Sequence, residues 1–591
     1  TNTVPYTLSL HDALPISIFN CAVSSIGSGN SDYVGGISGV NKADGVIKQS
    51  SFEKVTVTGR NYVGGITAEN FGSIQNISMK NSIVHAQGTG GNAGGIAGYN
   101  YSGAHLTLSE DIQGIIAGSG QNIGGVAGTT EENLGLSENV NQVTFNGTVT
   151  GTGNVGGIAG NSQAQEVAGF CNKAIIYAED GDAGGIIGID SSQNGEILNC
   201  ENHGSVSAAR SGNAGGIIGV NQGTVSRCTD YGSVSAANGI SGGIAGVNGG
   251  NVRECAVQAE KETLSFMGRD FAGGISGVNN GIIQDSTAVG IQITNPSGSV
   301  GGALGGIAGI NTGTLSGCQA GGPGKELSLV SNGTDVSLGG MAGSNSGSIS
   351  GTAAEYSRVY ATLAFVQTNM SYYGNLGGIA GKNEGSISYC EFNGSVEGTA
   401  NNPQNAPEYN PNTDFETNGS VIYGYGGIVG INGDSEAPSM AAVTDCLVNA
   451  ARITGMGDPN NVANIGGAAG VNGQGASLRG ITFGTGEKTY SPFKKNSSKL
   501  DEIKKASACV YIGTENNTAA YAHTGGIAGL NSGTIEDIGY DHAGNTWSAG
   551  WDETSLIIEN YRGHVGGIAG YNRKTTQPLP VTAQDILPVF L

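Results

Sequence analysis

Nine cysteines are the residues of this 591-residue chain whose number and spacing first suggest chemistry. That many thiols could form a disulfide framework or bind zinc. Six of them follow a β-branched residue or a leucine by three positions, as Cys21 also does: Cys200, Cys228, Cys255, Cys318, Cys390 and Cys446. A thiol at one repeated position predicts a column of small buried side chains, with disulfides between neighbouring repeats as the alternative. Because no Cys-x2-Cys pair is present, we expect no metal site.

Histidines and carboxylates form no catalytic pattern in the sequence. There is no H-E-x-x-H, no Walker-type G-x-x-x-x-G-K-[ST], and no nucleophile with triad partners in evident order. Carboxylates are scattered along the chain, whereas a polysaccharide-cleaving β-helix needs a poised pair. Glu179, Asp180 and Asp182 share one turn that could hold Ca²⁺, with a solvated acidic turn as the alternative. We therefore expect no catalytic residue and no cofactor.

Composition limits the classes of partner and of fold. Glycine makes up 107 of the 591 residues, while 37% are hydrophobic, which is too many for a disordered chain. Because the formal net charge of −22 repels nucleic acid and anionic membranes, we expect neither as a partner. No run of 18 apolar residues occurs, so no membrane span is expected.

A repeated phrase indicates the elements that must position these residues. Gly-Gly-Ile-Ala-Gly-x-Asn, or a close variant, occurs sixteen times between Gly35 and Asn572. It recurs every 27 to 34 residues as far as Gly339, and the interval then lengthens to as many as 59. One repeat cannot bury its own apolar side, but stacked repeats can. The pattern predicts an all-β, parallel β-solenoid of about sixteen coils, with three short strands per coil such as GGIIGV, GTVSRC and GSVSA within 215–241.

Two residue types recur at fixed positions of the phrase and are expected to form columns along the solenoid. The isoleucines should stack in the core: Ile37, Ile96, Ile158, Ile217, Ile244, Ile275, Ile307, Ile379, Ile527 and Ile568. The asparagines should form a hydrogen-bonded ladder at one corner: Asn41, Asn100, Asn221, Asn248, Asn279, Asn311, Asn383, Asn432, Asn531 and Asn572.

The chain divides into four segments on these grounds. Residues 18–351 carry regular repeats, 352–573 carry repeats with long loop insertions, and 574–591 are interpreted as a linker or truncated end. Residues 6–16, YTLSLHDALPI, resemble the translation of a common short-read sequencing adapter at all eleven positions, so residues 1–17 are interpreted as a library artefact. We expect the natural chain to continue beyond both ends.

The insertions are the predicted binding loops, because solenoids usually carry function on loops of one face. Tyr409 and Phe415 lie in the Asn/Pro-rich segment 399–424, and Trp547 and Trp551 lie in segment 540–564. Segment 473–523 holds a basic cluster and a possible short helix starting near Ser497. Exposed aromatic side chains suit contact with sugars or proteins. The alternative is that these loops pack back over the solenoid.

The phrase resembles the GLUG repeat of bacterial surface and secreted proteins, over about residues 30–573, with Ile where the family's name implies Leu. The resemblance implies an extracellular or cell-surface bacterial protein, often an adhesin-like stalk that binds a host or bacterial surface glycan or protein. Similar repeats precede the catalytic part of IgA-specific zinc metalloendopeptidases, whose H-E-x-x-H is not in this sequence. The preferred hypothesis is a non-catalytic adhesin-like repeat protein. The alternatives are the non-catalytic repeat region of such a protease and a β-helical polysaccharide lyase or hydrolase.

Overall fold

The computed structural model describes residues 16–25, 32–137, 140–260, 263–365, 374–398, 423–433, 439–455, 463–484, 510–514, 521–536, 538–540, 556–559 and 562–572. The chain forms two compact units, Thr1–Val257 (unit 1) and Gln258–Leu591 (unit 2). Each unit is a parallel β-solenoid, in which successive coils pair strand to strand in register. The predicted fold class is therefore confirmed.

Every full coil passes through four parallel sheets, which we call the first, second, third and fourth walls in chain order. The first wall ends at the first glycine of the repeated phrase, and the second ends at its Asn position. Each third-wall strand carries one inward β-branched or leucine residue, except His105–Leu108, in which Leu106 and Leu108 are both buried. The fourth wall holds either two short strands or one long strand per coil.

The strand bounds follow the repeat. First-wall strands of unit 1 are Tyr33–Gly35, Tyr62–Gly64, Asn92–Gly94, Asn122–Gly124, Asn154–Gly156, Ala183–Gly184, Ala214–Gly215 and Ile240–Gly242; those of unit 2 are Phe271–Gly273, Ala303–Gly305, Val336–Gly339, Gly374–Gly377, Tyr423–Gly426, Ala463–Gly466, Tyr521–Gly525 and Arg562–Gly566. Second-wall strands of unit 1 are Ser38–Asn41, Thr67–Asn70, Ala97–Asn100, Ala127–Thr130, Ala159–Ser162, Ile187–Asp190, Ile218–Asn221 and Ala245–Asn248; those of unit 2 are Ser276–Asn279, Ala308–Asn311, Ala342–Asn345, Ala380–Asn383, Val429–Asn432, Ala469–Asn472, Ala528–Asn531 and Ala569–Asn572.

The other two walls vary more in length. Third-wall strands of unit 1 are Val46–Lys48, Ser73–Gln75, His105–Leu108, Leu134–Leu136, Glu166–Ala168, Glu196–Leu198, Thr224–Ser226 and Asn251–Arg253; those of unit 2 are Ile282–Gln284, Thr314–Ser316, Ser348–Ser350, Ser386–Ser388, Ala442–Thr444, Ser477–Arg479 and Thr534–Glu536. Fourth-wall strands of unit 1 are Ser17–Phe19, Ala22–Ser24, Ser51–Glu53, Thr56–Gly59, Ser78–Ala86, Ile112–Gly118, Val143–Gly151, Phe170–Asn172, Ile175–Ala178, Glu201–Asn202, Val206–Ala208, Thr229–Asp230 and Val234–Ala236. Ala256–Gln258 lies at the unit boundary, and fourth-wall strands of unit 2 are Leu264–Gly268, Thr287–Val289, Ile291–Thr294, Gln319–Ala320, Leu327–Ser331, Ser357–Phe365, Cys390–Gly398, Leu447–Gly455, Thr482–Gly484, Val510–Gly513, Gly539–Tyr540 and Leu556–Glu559.

The glycine pair makes the corner between the first and second walls. A Cβ built on Gly64 would overlap the carbonyl oxygen of Thr67, and one built on Gly65 would overlap that of Gly95 in the next coil. Only glycine allows the backbone to come this close at both positions. The stretch predicted as one strand, GGIIGV, is therefore divided between two walls. This coil was predicted to hold three strands and holds five, because its fourth wall also has the separate strand Thr229–Asp230.

Isoleucines that follow the glycine pair point into the interior. Eight of the ten predicted core isoleucines are buried, namely Ile96, Ile158, Ile217, Ile244, Ile275, Ile307, Ile379 and Ile527. Ile37 and Ile568, in the first and last copies of the phrase, are half-buried. The third-wall residues, for example Val225 and Leu315, face them across the same dry interior. Burying each such side chain contributes about 1.5–3 kcal/mol.

Helices do not occur among the described residues. Accordingly, nothing in those ranges has the length and apolarity of a membrane-crossing helix. The short helix expected near Ser497 falls outside the described residues, as does Cys509.

Candidate functional site

The predicted binding-loop residues Tyr409, Phe415, Trp547 and Trp551 all fall outside the described residues. A different group of aromatic side chains comes together on unit 1. We call Tyr33, Tyr62, Phe71, Tyr99 and Tyr101 the aromatic patch. Tyr33 is 43% exposed, and the other four are half-buried.

The rings of the aromatic patch are stacked across successive coils. Tyr33 and Tyr62 have ring centroids 5.4 Å apart and nearly parallel planes. Tyr62 lies 6.4 Å from Tyr99. Tyr99 and Phe71 both stack on Tyr101, each at 4.1 Å. The patch is therefore a continuous aromatic surface that extends over the first and second walls.

Backbone register brings the patch together. Tyr33 and Tyr62 are Cα partners in neighbouring first-wall strands. Phe71 and Tyr101 each follow the ladder asparagine of their own coil. The sequence signal was an aromatic residue at the same repeat position in successive copies, DYVGG then NYVGG, and ENF then YNY.

Carboxylates border the rings and fix two phenols. Tyr101 Oη donates a hydrogen bond to Glu69 Oε1 at 2.8 Å, and Tyr99 Oη donates to Glu131 Oε1 at 2.5 Å. Burial, and then these bonded carboxylates, raise the pKa of both phenols far above 10. Lys42 Nζ lies 5.6 Å from the Phe71 ring centroid. The patch thus presents ring faces with fixed acceptors at its edge.

The repeated asparagines form ladders inside each unit. In unit 2, Nδ2 of each donates to Oδ1 of the next at 2.7 to 3.0 Å, through Asn279, Asn311, Asn345, Asn383, Asn432, Asn472, Asn531 and Asn572. In unit 1 the bonds run from Asn41 to Asn70 and Asn100, and separately from Asn221 to Asn248. These amides hold corners together and are buried except for Asn572 in the last copy of the phrase, so their role is structural.

Three coils of unit 1 interrupt the ladder. Asn100 Nδ2 donates to Thr130 Oγ1 at 3.1 Å, and the next two coils have Ser162 and Asp190 in this column. Asp190 is 1% exposed, and its Oδ2 has no hydrogen-bond partner. Burial raises the pKa of Asp190 to about 6, against the lowering effect of the Ser192 backbone N–H.

Six of the seven repeated cysteines lie at the corner between the third and fourth walls. The expectation for Cys21 is wrong, because Cys21 is exposed and lies between two fourth-wall strands. Each of the six corner thiols donates to the carbonyl two residues before it, as Cys228 Sγ does to Ser226 O at 3.3 Å. Cys200, Cys255, Cys318, Cys390 and Cys446 do the same, and all are buried and free of disulfides. The residue between donor and acceptor is left-handed, for example Arg227 with φ of 50°. Ser286 Oγ makes the equivalent bond to Gln284 O at 2.9 Å.

Burial is the largest influence on the pKa of two of these thiols, Cys318 and Cys228. It raises the pKa of Cys318 to about 12. For Cys228 burial comes first and hydrogen bonds with Cys200 and Cys255 follow, and together they raise its pKa well above 9. These two thiols are therefore protonated donors, which suits a corner support and not a nucleophile.

A second amide column, not expected from the sequence, lies on the fourth wall of unit 1. Asn172 Nδ2 donates to Asn202 Oδ1, and Asn202 Nδ2 donates to Asp230 Oδ1, both at 2.7 Å. Asp230 is fully buried with no partner on Oδ2. Burial raises its pKa well above 3.8. Asn202 and Asp230 each lie two residues before a Gly-Ser-Val-Ser-Ala phrase, which is the sequence signal for this column, and Asn172 lacks it.

The acidic turn weighed as a calcium site is engaged by neighbouring side chains. Arg210 of the next coil reaches Glu179 at 2.8 Å and Asp180 at 3.3 Å. Asp182 Oδ1 accepts hydrogen bonds from the backbone and the side chain of Asn213. The three carboxylates therefore bond to protein groups on the next coil.

Comparison of the chain with protein-family models, with curated proteins and with solved structures finds no match.

Proposed function

We propose that this chain is a non-catalytic, adhesin-like repeat region of a bacterial surface or secreted protein, and that the aromatic patch binds a glycan. The observation that carries the proposal is the group of five neighbouring rings on the outer faces of successive coils, in which three pairs are stacked and Tyr62 and Tyr99 are tilted. The apolar C–H face of a sugar ring packs on such a surface, and large rigid aromatics lose little entropy on binding.

Polar groups at the border of the patch support a glycan over a purely apolar partner. Glu69, Glu131 and Glu132 already accept hydrogen bonds from this surface, Glu132 from the Gly103 backbone N–H at 2.8 Å. Carboxylate oxygens retain lone pairs for sugar hydroxyls after accepting one bond. A chain with a formal net charge of −22 also favours neutral or cationic glycans over acidic ones.

The rest of the solenoid supports a display role. The polar residues that recur from coil to coil, the amide ladder and the thiol corner, are mostly buried and form hydrogen bonds within the coils. Function then falls to groups on the outer faces.

A glycan array probed with the whole chain tests the proposal. The double variant Tyr62→Ala/Tyr99→Ala should lose at least about tenfold in affinity for any bound glycan, since buried aromatic anchors carry most binding energy. Tyr177→Ala is the control, because Tyr177 is a tyrosine that is 40% exposed and lies on the fourth wall, outside the aromatic patch.

Two results would contradict the proposal: no glycan bound by the wild type, or equal binding by the double variant. Deletion of 399–424 separates the patch from the predicted loops. If that deletion alone removes binding, the ligand belongs to the loops instead.

A further inference from the structure

Cys171, Glu201 and His203 come together on the fourth wall of unit 1. One ligand atom from each, the thiol sulfur, a carboxylate oxygen and a ring nitrogen, lie within 4.8 Å of one another. His203 Nε2 and Glu201 Oε2 are 3.4 Å apart. Within the described ranges, no other set of three such side chains comes this close.

The coil register fixes this group. Cys171 and Glu201 are Cα partners in the strands Phe170–Asn172 and Glu201–Asn202. Their neighbours Asn172 and Asn202 belong to the buried amide column, so by strand alternation Cys171 and Glu201 project from the outer face. Cys171 thus differs from the inward corner thiols.

His203 is held separately at the end of the strand. Its backbone N–H donates to Asn172 O at 2.7 Å. Its imidazole stacks on the Tyr231 ring of the following coil, with centroids 4.5 Å apart. The imidazole is therefore oriented beside the Glu201 carboxylate.

The donor set and its spacing match zinc. Tetrahedral Zn²⁺ with bonds of about 2.0–2.3 Å places its ligand atoms roughly 3.3–3.6 Å apart. The distance of 3.4 Å between Glu201 Oε2 and His203 Nε2 already falls in that range, and the thiol sulfur needs to move by about 1.2 Å at most. We propose that Cys171, Glu201 and His203 bind one Zn²⁺ ion, whose fourth position is open to solvent.

Burial and charge are compatible with metal entry. Cys171 is 1% exposed, whereas the side chains of His203 and Glu201 are 25% and 39% exposed. A zinc ion would therefore reach the Cys171 sulfur from the solvent side, past His203 and Glu201. On binding, the Cys171 thiol releases its proton to solvent as the Zn–S bond forms, and the imidazole binds through its unprotonated nitrogen.

Neighbouring groups set the cost of that proton release. Burial raises the pKa of Cys171 to about 11, Lys173 lowers it, and Glu201 and Asp111 raise it. Gln142 Nε2 donates to Glu201 Oε2 at 3.1 Å, and this oxygen, which lies 3.4 Å from His203 Nε2, keeps a lone pair for the metal. Zinc supplies the charge that favours the thiolate.

Calorimetric titration of the reduced whole chain with Zn²⁺ tests this site. We expect one ion per chain, with affinity reduced at least about 100-fold in Cys171→Ser and in His203→Gln, because even second-shell losses cost 10–100-fold. Cys200→Ser is the matched control, since that thiol is inward and bonded to Leu198 O. The affinity of the Cys200→Ser variant for Zn²⁺ should stay within about threefold of wild type. Far-UV circular dichroism verifies that each variant is folded.

A second readout does not depend on any variant folding. Co²⁺ added to the wild-type chain should produce the near-ultraviolet thiolate-to-cobalt charge-transfer band, and Cys171→Ser should lack it. The proposal is overturned if wild type binds no Zn²⁺ at micromolar concentrations. It is also overturned if the cobalt band is missing, or if Cys171→Ser binds as well as wild type.

Discussion

Asn311 offers the sharpest test of the amide ladder, and we expect Asn311→Leu to destabilise unit 2 by about 2–4 kcal/mol. Asn311 is fully buried. It accepts a hydrogen bond from Asn279 at 2.8 Å and donates one to Asn345 at 2.7 Å. Losing both bonds costs about 1–3 kcal/mol, and leaving the buried Asn345 Oδ1 without its ladder donor adds at least about 1 kcal/mol.

Asn572→Leu is the matched control, because the last ladder residue is exposed and accepts a single ladder bond, from Asn531 at 3.0 Å. Asn572→Leu should lower the free energy of unfolding by less than about 1 kcal/mol. Asn311→Asp keeps an acceptor for Asn279 but sets a second oxygen against Asn345 Oδ1. Its penalty should therefore grow as pH rises and the carboxyl ionises.

Urea unfolding followed by far-UV circular dichroism gives the free energies. Because stability in stacked repeats is partly local, amide hydrogen exchange in the segment 308–316 measures the local stability of the corner that contains Asn311. The proposed role of the ladder is refuted if the free energy of unfolding of Asn311→Leu is within about 0.5 kcal/mol of wild type and amide exchange in 308–316 is unchanged. It also fails if Asn572→Leu is equally destabilised.

Three further perturbations follow from buried polar groups. Asp190 has a folded pKa of about 6, above its usual value, so its contribution to stability is present below about pH 4 and lost as pH rises through 6. Asp190→Asn should therefore stabilise unit 1 at pH 7 by about 1–3 kcal/mol, and urea midpoints that do not rise would contradict this. Burial, and then His564, lower the pKa of His523 to about 4, so stability is present above about pH 6.5 and lost as pH falls through 4. His523→Gln should flatten the dependence of stability on pH in that window, and an unchanged slope would count against the assignment. Cys228→Ser should stay within about 1 kcal/mol of wild type, because Ser286 makes the same bond naturally, while Cys228→Leu should cost about 1–3 kcal/mol by overpacking. Equal losses in the two Cys228 variants, measured in urea, would exclude the corner role.

The parallel β-solenoid was predictable because its signal is repeated. A single isoleucine or asparagine such as Ile307 or Asn311 carries little information, but the same type at one position of many copies requires stacking. The number of strands per coil was not predictable. GGIIGV reads as one strand, yet the two glycines allow a backbone approach that turns it into a corner.

The aromatic patch and the Cys171 group were harder to predict from the sequence than the fold was. The expectation of binding residues rested on the long insertions, whereas the aromatic patch lies on regular coils near Tyr62 and Tyr99. The interpretation of the cysteines as one class also missed Cys171. The sequence does contain a signal for a metal site, because His203 follows Cys200 by three residues. That spacing suggests Cys200 as the ligand, whereas the structure brings Cys171 next to His203.

The period, the parallel stacking, and the residue types that fill the core and the ladder can all be inferred from the amino-acid sequence. These follow from local turn chemistry and from the need of each repeat to bury its apolar side against the next. The contacts between unrepeated side chains, such as Cys171 with Glu201, are known only from the folded structure. Intervals between copies vary from 27 to 59 residues, so the partner of an unrepeated residue depends on backbone register, which hydrogen bonds between coils set.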